Sequence, residues 1–331
     1  MGRFFGGGRL CYNMTIMLIN ILKKAKRNVE IAPYTYFGLK GKVAYLLEIS
    51  KPEDLKQAVL ETKKAKLRYF IMAGGSNIVV SDKKYPGLVI VYRELGKDLD
   101  PLSVVKKDNR IKVWGSVPLW KIVKYTIENG LAGLESLSGI PGNLSGAVYG
   151  NAGAYGHSIS ELVEKVLIFD GKKERWLTKK ECGFSYRDSF FKKKTWVILS
   201  VQLKLKFGKR EKLREYSDSL INQRDEKFTK VKCPGSFFKN ILVEKVSKNT
   251  LAKIDKTKII DGKIPVGYLL ESVGAKGMHV GDLHIADYHG NLLINDGNAT
   301  YRDVAKLVKI LKEKVKIKFG IKLEEEVRYL V

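Results

Sequence analysis

Apolar and polar positions along the first half of the chain follow two periods, one typical of buried strands and one of amphipathic helices. Residues 50–66 predict a helix whose N-cap is Ser50. Residues 117–129 repeat the helical pattern and are followed by Gly130, a residue type that commonly terminates helices. Apolar runs around these helices predict buried strands at 43–49, 67–72, 88–91 and 111–114.

Predicted strands and helices continue along the chain up to a highly charged segment. Residues 163–169 and 175–177 predict a hairpin that turns at Asp170-Gly171, and 195–207 predict a long strand. The charged residues 209–230 predict a helix at a domain boundary. Beyond it, the pattern predicts helices at 266–273 and 300–318 and short strands at 291–294 and 327–330. We therefore expect a two-lobed part that ends near residue 207 and a separate C-terminal part.

Residues 1–27 combine a short apolar run with basic flanks, a composition that could belong to a targeting or membrane segment. Asn13 and Asn20 interrupt the run, and a basic cluster follows it where a cleavage site of small residues would stand. The pattern matches neither a signal peptide nor a membrane span. Met14 and Met17 are alternative starts of translation, and we expect an N-terminal extension with a lead-in helix.

The segment 138–156, SGIPGNLSGAVYGNAGAYG, is rich in glycine without being of low complexity. Glycines allow positive φ angles and a close approach of the backbone to a partner, and exposed backbone N–H groups suit anions or flat cofactors. A second such loop, MAGGSN at 72–77, follows a predicted strand. Neither loop has the spacing of a P-loop or a Rossmann fingerprint. We interpret the loops as a cofactor site between two strand ends; the alternative is a pair of tight turns.

The formal net charge of +26, from 61 basic and 35 acidic residues, first suggests a nucleic-acid partner. The lysines are spread over the whole length, however, and form no basic arm and no stripe interleaved with aromatic residues. A lysine-rich proteome, or positive potential that steers an anionic small molecule, explains the charge better. We therefore expect no nucleic-acid partner and no membrane partner.

The cysteines and histidines give no disulfide or metal signature. Cys11, Cys182 and Cys233 are far apart and odd in number, which indicates a reducing compartment. His279 and His284 are close in sequence, but no third ligand stands at a fitting spacing. We expect a cytoplasmic protein without a metal site.

Residues 184–189, FSYRDS, place Tyr186 and Arg187 between small hydroxyl side chains. A guanidinium presents a planar fork that matches the two oxygens of a carboxylate. Arg187 is therefore a candidate carboxylate-binding residue; the alternative is a turn locked by an Arg187–Asp188 pair.

Residues 234–240, PGSFFKN, place Ser236 after a glycine and before two aromatic residues. The motif is not the G-x-S-x-G of hydrolases, and no base is adjacent, so Ser236 is a poor nucleophile. Its hydroxyl can still donate a proton to a reactive carbanion. The alternative is a serine in a tight turn.

Residues 323–328, LEEEVR, place three acidic residues before a final apolar strand. The ordinary interpretation of such a run is a solvated sheet edge. One acid at the start of a strand can instead point inward, and Glu326 is the candidate.

These segments together resemble the UDP-N-acetylenolpyruvoylglucosamine reductase family, flavoenzymes of peptidoglycan precursor synthesis. The resemblance covers residues 28–328 and rests on Gly-Gly-Ser-Asn, Gly-Ile-Pro-Gly, Asn-Ala-Gly-Ala-Tyr-Gly, Tyr-Arg-Asp-Ser, Gly-Ser-Phe-Phe-Lys-Asn and Leu-Glu-Glu-Glu-Val-Arg, in that order. It implies an α+β fold: a two-lobed FAD-binding domain of the vanillyl-alcohol-oxidase (PCMH-type) superfamily and a C-terminal α+β substrate-binding domain. The implied domains are the N-terminal extension and lead-in helix at 1–27, FAD-binding lobes at 28–95 and 96–207, and the substrate-binding domain at 208–331.

The resemblance implies FAD as the cofactor and NADPH as the reductant. The FAD pyrophosphate would lie along residues 73–77 and its ring beside 138–146. The implied cofactor-binding residues are Ala73, Gly74, Gly75, Ser76, Asn77, Ser138, Gly139, Ile140, Pro141, Gly142, Gly146 and Ala147. Neither loop contains histidine or cysteine, so we expect noncovalent binding.

The implied reaction reduces UDP-N-acetylglucosamine enolpyruvate to UDP-N-acetylmuramate, with hydride added to the enolpyruvyl methylene carbon. Arg187 would hold the substrate carboxylate and stabilise the enolate, and Ser236 would protonate the adjacent carbon. Glu326 would face the same intermediate and donate a hydrogen bond if burial keeps it protonated. The implied substrate-binding residues are Tyr186, Arg187, Arg224, Lys239, Asn240 and His289. The enzyme would act as a monomer.

The chain departs from the family pattern at three positions. Lys40 stands where the family has the first of two glycines, Ile241 replaces a proline after Asn240, and Tyr288 replaces a lysine before His289. The short interval between the Tyr-Arg and Gly-Ser motifs leaves little room for a long substrate-capping loop. We therefore expect the shorter, loop-less subtype.

Two other classes of function remain open at this point. Another flavin oxidase or dehydrogenase of the same superfamily would keep the glycine loops but lack Gly-Ser-Phe-Phe-Lys-Asn and the C-terminal glutamate. A basic binding module without catalysis would need none of the motifs, and it would be colourless when purified.

Overall fold

The computed structural model describes residues 23–96, 99–100, 103–227 and 231–331. These residues divide into two units, each assembled from several segments of chain. The first unit contains Val43–Gly74 and Pro86–Lys227 together with the described residues before Glu30. The second contains Glu30–Lys42, Gly75–Tyr85 and the chain after Lys227.

Both units mix helices and strands, so the fold is α+β. The α-helices of the described chain are α1 (Pro52–Lys64), α2 (Leu119–Glu128), α3 (Leu144–Gly150), α4 (Arg210–Lys227), α5 (Lys248–Leu251), α6 (Val266–Ser272) and α7 (Tyr301–Phe319). Short 3₁₀ turns lie at Ala32–Tyr34, Leu134–Leu137, Ile159–Glu161, Phe190–Lys193, Val243–Lys245 and Lys256–Lys258.

The strands of the described chain are mostly short. They are β1 (Lys26–Glu30), β2 (Lys42–Ile49), β3 (Tyr69–Met72), β4 (Ile78–Val80), β5 (Tyr85–Tyr92), β6 (Val104–Lys107), β7 (Arg110–Trp114), β8 (Leu131–Ala132), β9 (Gly153–Ala154), β10 (His157–Ser158), β11 (Val163–Phe169), β12 (Glu174–Thr178), β13 (Val197–Lys204), β14 (Lys206–Phe207), β15 (Ile241–Leu242), β16 (Lys263–Ile264), β17 (His279–Val280), β18 (Leu283–Ile285), β19 (Leu293–Asn295) and β20 (Arg328–Leu330). The strands predicted from apolar runs all have a counterpart here. The long strand predicted at 195–207 is divided at Leu205 into β13 and β14.

Two sheets form the framework of the first unit. The first has the strand order β1-β2-β5-β3, in which β3 pairs in parallel with β5. The second is antiparallel and has the order β12-β11-β13-β7-β6. Because β3 and β5 are parallel, their carboxyl ends lie at the same edge, and β3 leads there directly into the first glycine loop.

Helix α1 confirms the predicted helix but corrects its cap. It begins at Pro52, and its N-cap residue is Lys51, whose side chain makes no capping hydrogen bond. Proline suits this start because its missing N–H would have no partner in the first helical turn. Leu55 and Val59 are completely buried in the core beneath the first sheet. Ser50 lies outside the helix, where its carbonyl accepts a hydrogen bond from the Ser116 hydroxyl.

The predicted hairpin after the second glycine loop is confirmed as β11 and β12. Their register runs to Phe169 opposite Glu174. The Asp170 carboxylate closes the turn by accepting hydrogen bonds from the Lys172 and Lys173 N–H groups, at 2.8 and 2.9 Å. The second predicted helix is confirmed as α2, and Gly130 follows it with a φ of 63°.

The structure differs from the predicted domain boundary at residue 208. Helix α4 belongs to the first unit, because Leu213 and Leu220 are buried and the Ser217 hydroxyl hydrogen-bonds the Ser138 hydroxyl at 2.8 Å. Residues 30–42 and 75–85, predicted in the first lobe, belong to the second unit. The division into lobes at 28–95 and 96–207 stays a prediction.

The second unit takes its C-terminal strand from the end of the chain. Strand β20 pairs in parallel with β4, with Arg328 opposite Ile78. Helix α7 confirms the predicted helix at 300–318: a capping box of Thr300 and Asp303 begins it, and Gly320 ends it in the left-handed conformation. Strands β17, β18 and β19 form a separate three-stranded sheet.

Cys182 and Cys233 are free and buried. Burial raises the pKa of the Cys182 thiol to about 12, so this thiol stays protonated at neutral pH. Within the described ranges, no cluster of three or more potential ligands could hold a metal ion, and no helix has the length and apolar character needed to cross a bilayer. Cys11 and residues 1–22 of the predicted N-terminal extension, including both alternative starts, lie outside the described residues.

A buried ion pair anchors α2 in the first unit. The Lys121 ammonium donates to the Glu94 carboxylate at 2.8 Å and to the Gly96 carbonyl at 2.9 Å. Each of the two charged side chains is only 6% exposed. Removing one partner would leave the other charge buried without its counterion, which is the costly way to break such a pair.

We predict that Glu94→Ala lowers the free energy of unfolding by about 3–5 kcal/mol, because the Lys121 charge loses its compensation. Urea denaturation followed by fluorescence measures the loss. The matched control is Glu128→Ala, because Glu128 pairs with Lys124 on the same helix at 3.9 Å with both side chains exposed. The control should change stability by less than about 1 kcal/mol. Equal losses for the two variants would contradict a structural role for the buried pair.

Candidate functional site

The first glycine loop, residues 73–77, follows the carboxyl end of β3 and spans the division between the units, since Gly74 belongs to the first and Gly75 to the second. At Gly74 the backbone comes very close to the second loop. A Cβ atom there would lie 2.5 Å from the Cα of Gly142. Gly75 has a φ of 67°, and a Cβ there would lie 2.0 Å from the Tyr34 carbonyl oxygen. Only glycine fits both positions.

The second glycine loop, residues 138–143, is held by Asn143 at the start of α3. The Asn143 side-chain oxygen accepts from the Gly146 N–H at 3.1 Å, which caps the helix. Its side-chain amide donates to the Tyr92 carbonyl at 2.6 Å, at the end of β5. Because β5 pairs with β3, this asparagine ties the second loop to the strand next to the one that carries the first loop.

The structure brings together the predicted cofactor residues of the first unit. Gly74 faces Gly142, and a Cβ atom on Gly146 would lie 3.1 Å from the Ala73 Cβ. The Ser138 hydroxyl hydrogen-bonds the Ser217 hydroxyl. The groups that Ser138 offers to a cofactor are therefore those of its backbone. The remaining predicted residues of this group, in the same loop and in α3, are Gly139, Ile140, Pro141 and Ala147.

The predicted cofactor residues Gly75, Ser76 and Asn77 belong to the second unit. The Asn77 side-chain amide donates to the Glu326 carbonyl at 3.1 Å. The Asn77 side-chain oxygen is buried and has no hydrogen-bond partner in the described chain. A buried acceptor without a partner is costly in a native protein and indicates an external donor.

Glycine loops of this kind suit a flat, anionic dinucleotide such as FAD. In the first unit, the backbones of the two loops meet at Gly74 and Gly142, where no side chain fits between them. In the second unit, the buried side-chain oxygen of Asn77 is an acceptor for a donor on a bound group.

Arg187 lies at the tip of a tight turn in the first unit. Reciprocal hydrogen bonds of 3.1 Å between the backbones of Ser185 and Asp188 close the turn. Arg187 has a φ of 52°, which is uncommon for a non-glycine residue and is found most often at functional sites. Its guanidinium lies 5.5 Å from the Tyr186 ring centre and donates to the Gly153 carbonyl at 2.6 Å.

Arg224, on α4, brings a second guanidinium to the same part of the first unit. Its Nε–H donates to the Gly139 carbonyl at 3.0 Å, in the second glycine loop. Burial lowers the pKa of the Arg224 guanidinium, the Tyr155 phenol opposes this shift through a hydrogen bond, and the charge of Arg187 lowers the pKa further. Two cations therefore lie within electrostatic reach of each other beside a glycine loop. Tyr155 stands in the Asn-Ala-Gly-Ala-Tyr-Gly motif, but no role was predicted for it.

Ser236 lies in the second unit, in a short bridge with Leu292. Asn291 fixes the residues that follow: its side chain exchanges two hydrogen bonds with the backbone of Phe238, at 2.9 and 2.8 Å. Phe237 and Phe238 are buried and pack edge to face. Ser236 itself is half-buried, and its hydroxyl makes no hydrogen bond within the described chain. The backbone that carries the Ser236 hydroxyl is thus fixed, and within the described chain the hydroxyl donates its proton to no acceptor.

Glu326 lies beside the Ser236 motif in the second unit. Its N–H donates to the Phe237 carbonyl at 2.8 Å, and its carbonyl accepts from Asn77. The structure thereby joins three predicted segments, those that carry Asn77, Ser236 and Glu326. Glu326 is half-buried, whereas Glu324 is exposed, so the acidic run is not uniformly a solvated edge.

The predicted substrate residues Lys239, Asn240 and His289 have partners inside the second unit. The Lys239 ammonium forms an ion pair with Glu324. The Asn240 side-chain oxygen accepts from the Val266 N–H at 3.1 Å, at the start of α6. The His289 Nδ1 accepts from the Asn291 N–H at 3.1 Å. These contacts orient the three side chains, and their roles toward a substrate stay predictions.

Comparison with known proteins gives the family. Residues 226–330 match the model of the UDP-N-acetylenolpyruvoylglucosamine reductase C-terminal domain, and residues 43–173 match that of an FAD binding domain. The UDP-N-acetylenolpyruvoylglucosamine reductase of Solibacter usitatus is 38% identical over 305 residues, which cover 92% of this chain and 96% of that protein. The chain belongs to the UDP-N-acetylenolpyruvoylglucosamine reductase family. UDP-N-acetylenolpyruvoylglucosamine reductase 1 of Bacillus thuringiensis is 34% identical and covers 91% of the chain and 92% of its own length.

A solved member of the family supports the fold. The UDP-N-acetylenolpyruvylglucosamine reductase of Thermus caldophilus superposes with a TM-score of 0.72 at 28% identity, covering 93% of this chain and 99% of that one. The family confirms the predicted fold class and the predicted class of protein, an FAD-dependent oxidoreductase. It excludes both alternatives, another flavin oxidase or dehydrogenase of the same superfamily and a basic binding module without catalysis. The C-terminal domain match begins at residue 226, close to the end of the first unit at Lys227.

We predict that Gly74→Ala weakens FAD binding, because the new Cβ would press against the Gly142 backbone and separate the loops. Overpacking of this kind costs about 1–3 kcal/mol, which raises a dissociation constant by about 5- to 150-fold. The ratio of flavin absorbance to protein absorbance after gel filtration, followed by titration with FAD, measures the effect.

The control for this substitution is Gly150→Ala, at the end of α3. A Cβ atom there meets no atom within 4 Å, so the variant should retain flavin as the unmodified protein does. If Gly74→Ala also retains full flavin occupancy, the contact between the loops is not required for binding.

Proposed function

We propose that this chain catalyses the NADPH-dependent reduction of UDP-N-acetylglucosamine enolpyruvate to UDP-N-acetylmuramate in peptidoglycan precursor synthesis. One observation carries the proposal beyond family membership. Arg224 donates to the Gly139 carbonyl, so a cation within reach of Arg187 is attached directly to the glycine loop that fits FAD. The first unit therefore contains both a glycine loop proposed to hold FAD and two guanidiniums proposed to bind the anionic groups of the substrate.

Bound FAD would supply the redox chemistry, accepting hydride from NADPH and passing it to the enolpyruvyl methylene carbon. We propose that Ala73 to Asn77, Ser138 to Gly142, Gly146 and Ala147 hold it, mainly through backbone groups. The binding is noncovalent in this proposal, because neither loop carries a histidine or cysteine. The free, buried cysteines support the cytoplasm as the compartment.

Arg187 is proposed to bind the substrate carboxylate. When hydride adds to the methylene carbon, the electron pair of the double bond moves to the carbon beside the carboxylate, and negative charge spreads onto the carboxylate oxygens. A guanidinium already fixed by the Gly153 carbonyl meets this charge without reorganising. Tyr186, next to it, is proposed as a further substrate contact.

Ser236 is proposed as the proton donor that completes the reduction. Its O–H bond breaks as a new C–H bond forms at the carbon beside the carboxylate, and solvent later restores the hydroxyl proton. The Asn291 contacts to Phe238 support this role, because they fix the backbone that carries the hydroxyl. Glu326, whose N–H is bonded to Phe237, is proposed to stabilise the same intermediate.

The remaining predicted substrate residues are Arg224, Lys239, Asn240 and His289. Arg224 is proposed to bind the anionic nucleotide part, since its half-buried guanidinium lies within electrostatic reach of a second cation. Lys239, Asn240 and His289 are proposed to contact the substrate from orientations set by Glu324, Val266 and Asn291, respectively. The enzyme is proposed to work as a monomer.

The test is the oxidation of NADPH in the presence and absence of the enolpyruvyl sugar nucleotide, measured both under nitrogen and in air. The proposal requires that sustained oxidation depends on the sugar nucleotide and that one lactyl ether forms for each NADPH consumed. Sustained oxidation that needs only dioxygen, with no change in the sugar nucleotide, would overturn it.

We predict that Arg187→Lys keeps its flavin but loses most of its turnover. Lysine retains the charge but loses the planar fork, and hydrogen bonds to a charged partner contribute about 1.5–3 kcal/mol. The expected fall in kcat/KM is therefore about 10- to 150-fold. Steady-state kinetics measure it, and Arg110→Lys, at a partly exposed ion pair with Glu164, is the control. Near-normal kinetics in Arg187→Lys would leave Arg187 with a role in the turn alone.

We predict that Ser236→Ala separates the two half-reactions. Reduction by NADPH needs no proton from Ser236 and should keep its normal rate. Reoxidation by the enolpyruvyl substrate should slow by about 10²- to 10⁴-fold, because a general acid is lost. Stopped-flow absorbance of the flavin follows each half separately.

Two further variants make this test specific. Ser236→Cys should recover part of the second half-reaction, because a thiol can still donate a proton. Ser272→Ala removes a hydroxyl of the second unit that is bonded to the Tyr268 carbonyl, and it should change neither half. If Ser236→Ala slows both halves equally, or neither, Ser236 is not the proton donor.

A further inference from the structure

Asn151 ends helix α3 and has no part in the function proposed above. It adopts the left-handed conformation, with a φ of 46° and a ψ of 59°. Glycine is the commonest residue at such a helix end, and asparagine is the next choice. Asn151 is only 5% exposed, so its amide lies inside the first unit and not in solvent. Glycine would end the helix equally well, and the buried amide therefore needs an explanation of its own.

The Asn151 side chain joins two other segments of the first unit. Its amide nitrogen donates to the Ser185 carbonyl at 2.7 Å, and its oxygen accepts from the Ser160 N–H at 3.3 Å. The Ser185 carbonyl also accepts from the Asp188 N–H at 3.1 Å, which closes the turn of residues 185–188 that carries Arg187. Asn151 therefore donates to the same carbonyl that closes this turn, called the Arg187 turn below.

Two further hydrogen bonds attach the Arg187 turn to the chain around the end of α3. The hydroxyl of Ser189, a buried residue just after the turn, donates to the Tyr149 carbonyl at 2.6 Å. The Arg187 guanidinium donates to the Gly153 carbonyl, also at 2.6 Å. Together with the Asn151 contact, these bonds tie both ends of the turn and the side chain at its tip to one short segment.

Helix α3 connects this segment to the second glycine loop. Asn143 caps the start of the helix by accepting from the Gly146 N–H at 3.1 Å, and Asn151 follows its last residue. The helix has seven residues and is therefore about 10 Å long. Because its backbone is hydrogen-bonded internally, a helix of this kind is a stiff spacer. The distance between the loop proposed to hold FAD and the Arg187 turn therefore depends on α3 and on the bonds at its end.

We propose that Asn151 is a positioning residue, whose hydrogen bond to the Ser185 carbonyl holds the Arg187 guanidinium in register with the second glycine loop. The substrate carboxylate as the ligand of Arg187 rests on the proposed function, whereas the hydrogen bonds of Asn151 do not. A guanidinium stabilises developing charge only where it is already correctly placed. Displacement of the Arg187 turn should therefore slow the step in which negative charge spreads onto the carboxylate.

The test is Asn151→Asp in the flavin-loaded protein at pH 8. Aspartate has nearly the same shape, tolerates the left-handed conformation and keeps an acceptor for the Ser160 N–H, but an ionised carboxylate cannot donate to the Ser185 carbonyl. Reoxidation of reduced flavin by the enolpyruvyl sugar nucleotide should slow by about 3- to 10-fold, as for the loss of one hydrogen bond. Flavin reduction by NADPH should keep its rate, because it does not involve the substrate carboxylate. Stopped-flow absorbance measures both steps.

Hydrogen exchange reports on the Arg187 turn without any reaction. In Asn151→Asp, the backbone amides of residues 184–189 should exchange about 3- to 10-fold faster, because the turn loses one of its hydrogen bonds. Mass spectrometry of the flavin-loaded protein measures this, and peptides from the β11–β12 hairpin should be unaffected. Asn151→Gly, which suits the left-handed backbone and removes the whole amide, should give the same pattern in both measurements. It replaces Asn151→Asp if the buried carboxylate prevents folding.

Asn109→Asp is the matched control. The Asn109 amide donates to the Leu205 carbonyl at 2.7 Å, again within the first unit and between residues distant in sequence. This variant loses the same kind of hydrogen bond, but from a contact that includes no residue of the Arg187 turn. It should change neither half-reaction nor the exchange of residues 184–189. In an Arg187→Lys background, Asn151→Asp should add little further loss, since the guanidinium that Asn151 positions is gone.

Several results would overturn the inference. Unchanged exchange of residues 184–189 would do so, as would equal slowing of the two half-reactions, or faster exchange with a normal rate of reoxidation. These outcomes are separate from failure of the proposed function. If the unmodified protein shows no substrate-dependent NADPH oxidation but Asn151→Asp still speeds exchange in the Arg187 turn, Asn151 holds the turn and the reaction is wrong.

Discussion

The contact between the backbones of Gly74 and Gly142 is the constraint on which the rest of the site depends. A side chain at Gly74 would clash with the Gly142 Cα, so the two loops can meet only as bare backbone. Parallel pairing of β3 with β5 and the Asn143 hydrogen bond to the Tyr92 carbonyl bring the loops to one edge of the sheet. The fold thereby presents backbone groups at a position fixed by strands, in the part of the chain that matches an FAD binding domain.

Two guanidinium groups in the first unit are then held by backbone carbonyls. The Gly153 carbonyl, in the β9–β10 hairpin, accepts from Arg187, and the Gly139 carbonyl, in the second glycine loop, accepts from Arg224. These acceptors fix the direction in which each guanidinium points. Arg187 adopts a positive φ, so local backbone strain accompanies the arrangement.

Much of the fold and of the site could be predicted from the sequence because its signals are local. Periodicity predicted α1, α2, α7 and the β11–β12 hairpin, and ordered motifs indicated the family. The missed features depend on contacts between distant residues. The contact of Arg224 with the Gly139 carbonyl, the Asn240 contact at the start of α6 and the burial of Leu213 and Leu220 on α4 join segments far apart in sequence. The predicted cap at Ser50 failed because Pro52 already begins the helix.

The central claim is that the flavin held by these loops carries hydride from NADPH to the enolpyruvyl sugar nucleotide. Its most direct test is an anaerobic titration of the purified yellow protein. NADPH, added in an amount equal to the flavin, should bleach the visible absorbance, and an equal amount of the sugar nucleotide should then restore it completely. A reduced flavin that the sugar nucleotide cannot reoxidise, but that dioxygen can, would contradict the account.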